Sequence, residues 1–181
     1  CGIIGIQNNS EAATLAYMGL YAQQHRGQEG AGVVSSDGTV LHRHMGEGLV
    51  ADVFSDSAVF DSLIGDSAIG HVRYSTTGST DSKNVGPLMF NMGNYSLSIA
   101  HNGNLVNLNE IRKELQENGA LFQTSTDTEI IIQLLAREKG NTLADKLEKV
   151  LLKIEGAYSL ILLSPSEIIA ARDPHGIRPF C

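Results

Sequence analysis

The chain has 181 residues, 42% of them apolar, and a net charge of −7. That is enough chain for one domain with its own core. Lys and Arg are scattered, which argues against binding a nucleic-acid backbone, since that needs a basic patch. No apolar run approaches the ~20 residues that cross a bilayer. No basic stretch leads into an apolar one at the start, so no signal peptide is expected. Cys1 and Cys181 are the only cysteines. Of a terminal disulfide and a reduced cytoplasmic protein, the second is the preferred reading.

Gly2–Gln7 reads as a short buried strand. Residues 11–24 carry Leu15, Met18, Tyr21 and Ala22 at helical spacing. Arg26–Gly32 reads as a Gly-rich turn. Val33–Ser36, Asp37-Gly38 and Thr39–Leu41 predict a hairpin. Residues 67–73 predict a strand ending at Arg73. Residues 75–86 have no apolar anchor before Val85, and Arg73–Asn84 is expected to be a mobile loop. Leu88–Met92 and Tyr95–His101 predict a second hairpin. Asn107 precedes a helix, with Glu110 placed as in a capping box and Gly119 as its stop. Ser125–Asp127 caps the next helix, which runs to Gly140. A third helix spans about Leu143–Ile154. Tyr158–Leu163 and Glu167–Ala171 predict a third hairpin. Hairpins dominate and helices come in blocks, so the fold class is α+β with antiparallel sheets.

Cys1 is the first candidate for chemistry. Thiols titrate near about 8.5, and α-amines near about 7.7–8.0. One residue with both groups supplies a nucleophile and its base. Other candidates are ambiguous singly. Arg73 alone reads as a solvated ion-pair residue, Asn102-Gly103 as a turn, and Asp127 as a helix cap. Arg26-Gly27 reads as a tight turn. His71 and His101 read as hydrogen-bonded core residues, and Cys181 as a small buried hydrophobe. His42 and His44 would share a strand face, but two imidazoles fall below the ligand count metals demand, so no metal site is expected.

Five segments taken together say more. They are Cys1-Gly2-Ile3-Ile4-Gly5, His25-Arg26-Gly27-Gln28-Glu29-Gly30-Ala31-Gly32, Gly70-His71-Val72-Arg73-Tyr74-Ser75-Thr76, His101-Asn102-Gly103-Asn104-Leu105 and Ser125-Thr126-Asp127-Thr128-Glu129. In this order, across the whole chain, they resemble the class II glutamine amidotransferases, which are N-terminal-nucleophile hydrolases. The second and fourth runs, with Arg172-Asp173-Pro174-His175-Gly176-Ile177-Arg178-Pro179, narrow the resemblance to one branch. Members of that branch make phosphoribosylamine from phosphoribosyl pyrophosphate, at the start of purine synthesis.

The resemblance implies a four-layer αββα sandwich of two antiparallel sheets. It implies that Cys1 attacks glutamine, with Asn102 and Gly103 as donors to the oxyanion. It gives substrate-binding roles to Arg73, Asp127, Thr76, Tyr74, Arg26 and Gly27. Arg73 would take the α-carboxylate and Asp127 the α-ammonium. Thr76 and Tyr74 would belong to a loop that closes over substrate. Residues 1–181 would form one glutaminase domain of a longer chain, a homo-oligomer when complete. A phosphoribosyltransferase domain would follow, and the family's magnesium and the iron–sulfur cluster of some members would belong there. No cofactor is expected in this segment. Two other readings remain open: the same domain from another amidotransferase, such as glucosamine-6-phosphate synthase or asparagine synthetase, and a module that binds glutamine without catalysis.

Overall fold

A computed structural model describes residues 1–74, 82–93 and 95–181. Thr76 and most of the expected mobile loop lie outside the described residues. The elements in chain order are β1 (Gly2–Ile6), α1 (Ala12–Ala22), β2 (Gly30–Ser36), β3 (Leu41–Glu47), α2 (Val50–Val53), α3 (Val59–Ser62) and β4 (Ser67–Arg73). Then come β5 (Leu88–Asn91), β6 (Ser96–Leu105), α4 (Leu108–Glu117), α5 (Asp127–Arg137), α6 (Leu143–Leu151), β7 (Gly156–Leu163) and β8 (Ile168–Arg172). They form two four-stranded sheets, ordered β1-β4-β2-β3 and β5-β6-β7-β8. The α+β class and the antiparallel sheets agree with the expectation.

The chain divides into two compact units. The first holds residues 1–102 and 160–170. In it, β4 lies between β1 and β2, with Gly2 opposite Val72 and Gly30 opposite Arg73. This register sets Cys1 beside the C-terminal end of β4. Helix α1 covers the sheet with Ala12, Ala13, Ala16 and Leu20, all buried. The expected face was a different one: Met18 and Tyr21 are more than half exposed. Small alanines let the helix approach the sheet, where Tyr and Met would hold it off. Beside it Tyr17, Phe54 and Phe60 form an aromatic cluster with ring centroids 5.5–5.8 Å apart. Ile161 and Ile168 lie within 4 Å of the space above Gly5, so residues from both sheets meet inside this unit.

Two local readings change here. Gly30-Ala31-Gly32 is strand rather than turn, because its backbone pairs with both β3 and β4. The preceding turn is a short 3₁₀ segment, Gln24–Arg26. The Asp37-Gly38 turn is present, but β3 begins only at Leu41. The Asp37 carboxylate accepts from Thr39 N and Val40 N and holds both residues in the loop.

The second unit holds residues 103–159 and 171–181. Its helices bury Leu115, Ile130–Ile132, Leu134, Leu135, Leu143, Leu147 and Val150. The Asn107–Glu110 capping box is absent: Asn107 donates to Lys153 O at 2.9 Å and accepts from Glu155 N at 3.0 Å. Thr142 and Asp145 make a capping box at α6 instead. Gly119, with φ of +81°, follows α4 as expected.

Candidate active site

The thiol of Cys1 sits on the backbone of Tyr74. Tyr74 N–H donates to Sγ at 3.5 Å, and Sγ donates to the Tyr74 carbonyl oxygen at 3.6 Å. The Cys1 carbonyl accepts from Arg26 Nε at 3.1 Å. Arg26 therefore holds the backbone of the candidate nucleophile rather than its sulfur. The turn carrying Arg26 is braced by Gln24, which donates to Gly27 O at 2.5 Å and accepts from Val50 N at 2.7 Å.

Gly27 is buried, and its backbone is extended. Its value lies in what it allows to approach. A Cβ there would lie 2.5 Å from the Arg73 carbonyl oxygen, so any side chain would push the turn away from β4. Thus Cys1, Arg26, Gly27, Arg73 and Tyr74 meet at one end of β4.

Arg73 is not the solvated residue that it resembles in isolation. Its side chain is only 11% exposed. Its Nε donates to Glu29 Oε2 at 3.3 Å, and its Nη1 to the Asn84 carbonyl at 2.6 Å. The Tyr74 side chain is exposed, and only its backbone touches the thiol.

His71, two residues before Arg73, is buried against Gly86, and neither ring nitrogen makes a hydrogen bond of normal geometry to a described residue. This corrects the hydrogen-bonded reading. Burial, and then the positive charge at Cys1, lower its pKa from 6.5 to about 3. Nearby His101 and Arg73 push the same way, and a contact with the His101 backbone offsets part of the effect. A neutral imidazole fills this position at physiological pH.

Asn102 and Gly103 are consecutive residues inside β6, and Asn102 is buried. The turn reading fails because the ladder continues to Leu105, past the expected strand end at His101. Asp127 opens α5, but the cap is Thr126, whose hydroxyl accepts from Glu129 N. Asp127 Oδ2 accepts from Leu105 N at 3.2 Å. Burial raises its pKa, and the Leu105 N–H offsets part of that rise. The positive charge of Arg112 and the N–H of Asp127 itself also act against the rise.

Glu29, Gln24 and Asn84 carry no role in the sequence reading. Glu29 lies in a quoted motif, but its partner Arg73 is 44 residues away. Cys181 is exposed rather than buried. His42 pairs with Asp37 at 2.9 Å, and the ring Nε2 of His44 lies 2.8 Å from the Val53 carbonyl. Among the described residues, no three His, Cys, Asp or Glu side chains are grouped to hold a metal. No described helix is long and apolar enough to cross a membrane.

The model of a glutamine amidotransferase domain family matches residues 71–181. The chain belongs to that family. Its relatives there are amidophosphoribosyltransferases. One from Lacticaseibacillus casei is 41% identical, with 99% of this chain covering 92% of that protein. Chloroplastic amidophosphoribosyltransferase 2 of Arabidopsis thaliana is 48% identical, over 99% of this chain and 32% of the relative. The B. subtilis glutamine phosphoribosylpyrophosphate amidotransferase, solved with ADP and GMP, superposes with a TM-score of 0.92. It is 44% identical, over 99% of this chain and 38% of that one. The chain therefore spans about a third of the length of the last two of these relatives.

Proposed function

We propose that this chain hydrolyses the side-chain amide of glutamine to glutamate and ammonia through a γ-glutamyl thioester on Cys1. The observation that carries the reading is the convergence of Cys1, Arg26, Gly27 and Arg73 at one strand end, in a member of the glutamine amidotransferase domain family.

In this reading the Cys1 α-amine takes the thiol proton, and Sγ attacks the amide carbon. The carbonyl electrons move to oxygen, where the Asn102 side chain and the Gly103 N–H stabilise the charge. Collapse breaks the C–N bond, and the leaving nitrogen takes the proton from the amine and departs as ammonia. Water then attacks the thioester. The amine accepts a proton from water and returns it to the sulfur as glutamate forms. Arg73 binds the α-carboxylate and Asp127 the α-ammonium. Tyr74 and Thr76 border the bound substrate.

In the longer protein, the ammonia would convert phosphoribosyl pyrophosphate to phosphoribosylamine in purine synthesis. The relatives' names support that reading over another amidotransferase. The phosphoribosyltransferase domain, its magnesium, any iron–sulfur cluster and the homo-oligomer contacts are assigned to the portion of the relatives that this chain does not span. A cytoplasmic location is part of the same proposal. Glutamate release by the wild-type chain and its loss in Cys1→Ala test the core of the reading. Undiminished release from Cys1→Ala would refute it.

A further inference from the structure

We propose that Glu29 is the positioning residue of the Arg73 clamp and so sets selectivity for the α-carboxylate of the substrate. This rests on the reading of Arg73 as the carboxylate anchor. A guanidinium that is only 11% exposed needs partners for its lost hydration. Among the described residues, Glu29 Oε2 at Nε and the Asn84 carbonyl at Nη1 are such partners and constrain its plane.

Glu29 is itself held. Its N–H donates to the Arg73 carbonyl at 3.2 Å, and its carbonyl accepts from Gly48 N at 3.0 Å. The next residue, Gly30, pairs with Arg73 across the sheet. Backbone and side chain of Glu29 thus both address Arg73. The carboxylate offsets part of the guanidinium charge, so its contribution is direction rather than added positive potential. An aimed planar fork binds a carboxylate with two parallel hydrogen bonds; a loose one does not.

The test compares kcat/KM for glutamine with that for its α-carboxamide analogue, using the full chain. In Glu29→Ala the ratio should fall about tenfold, through KM for glutamine, with kcat within about twofold. Glu29→Asp keeps the charge but withdraws the carboxylate by one methylene. Its ratio should fall at least about threefold with the thermal midpoint preserved. If Glu29→Ala does not fold, Glu29→Asp decides alone. Arg73→Lys is the benchmark. If it leaves the ratio unchanged, Arg73 is not the carboxylate anchor and the functional reading falls with the inference. If Arg73→Lys lowers the ratio while the folded Glu29 variants keep the wild-type value, or lose kcat at constant KM, the positioning role alone is wrong.

Discussion

Tyr74 holds the Cys1 thiol through its backbone: the Tyr74 N–H reaches Sγ at 3.5 Å while the phenol ring stays exposed. Tyr74→Phe should therefore leave alkylation of Cys1 by iodoacetamide unchanged. Tyr74→Pro removes the N–H, and the extended conformation of Arg73 tolerates a following proline. It should reduce glutamate release by about tenfold with the fold intact, as misplacement of a nucleophile does. Equal activity in the two variants would show that the N–H contact is idle.

Gly27→Ala probes the approach of the Arg26 turn to β4. Its new Cβ would lie 2.5 Å from the Arg73 carbonyl, so turn and strand must separate. Because Arg26 also holds the Cys1 carbonyl, glutaminase activity should fall by about tenfold or more. A fully active Gly27→Ala protein would mean that the contact does not locate Cys1.

These contacts show what the sequence could and could not reveal. The bounds of β4, Ser67–Arg73, were legible to the residue, because a short continuously buried run, Ala68–Val72, ends at a charged residue. The face of α1 was not: Met18 and Tyr21 are apolar by composition, but the face that packs closely on the sheet is Ala12, Ala13, Ala16 and Leu20. Asn102-Gly103 is a turn signal overridden by long-range pairing within β6. Asn107 imitates a cap, yet its amide bridges Lys153 and Glu155, 46 and 48 residues away. The candidate residues Cys1, Arg26, Gly27, Arg73 and Tyr74 were legible as motifs. Their partners Glu29 and Asn84 were not, because an ion pair between distant segments leaves no local pattern.

His71 makes stability depend on pH. Its folded pKa is about 3 against 6.5 ordinarily. Between those values the unfolded chain binds a proton that the folded chain refuses, so stability is lost as pH falls through this window. The slope from this group approaches about 1.4 kcal/mol per pH unit. Urea unfolding between pH 7 and pH 4.5 should show it, and His71→Asn should have a shallower slope. An unchanged slope in the variant would contradict the assignment.

Glu129, almost fully buried, accepts from Gln123 N, Thr124 N and the Thr124 hydroxyl at 2.6–2.8 Å. It braces the segment that leads into Asp127. Glu129→Ala strands these donors and should cost about 2–4 kcal/mol, read by denaturant unfolding. Glu129→Gln keeps one acceptor oxygen and should cost about half as much. A change under about 0.5 kcal/mol in Glu129→Ala would show that water replaces the carboxylate.

The most direct test of Cys1 as the nucleophile is mass mapping after treatment with a diazoketone analogue of glutamine. The predicted result is one adduct on Cys1 and none on the exposed Cys181. Glutamine should protect against it, and glutamate release should fall in proportion to labelling. An adduct on Cys181 alone, or full labelling of Cys1 with undiminished glutamate release, would contradict the account.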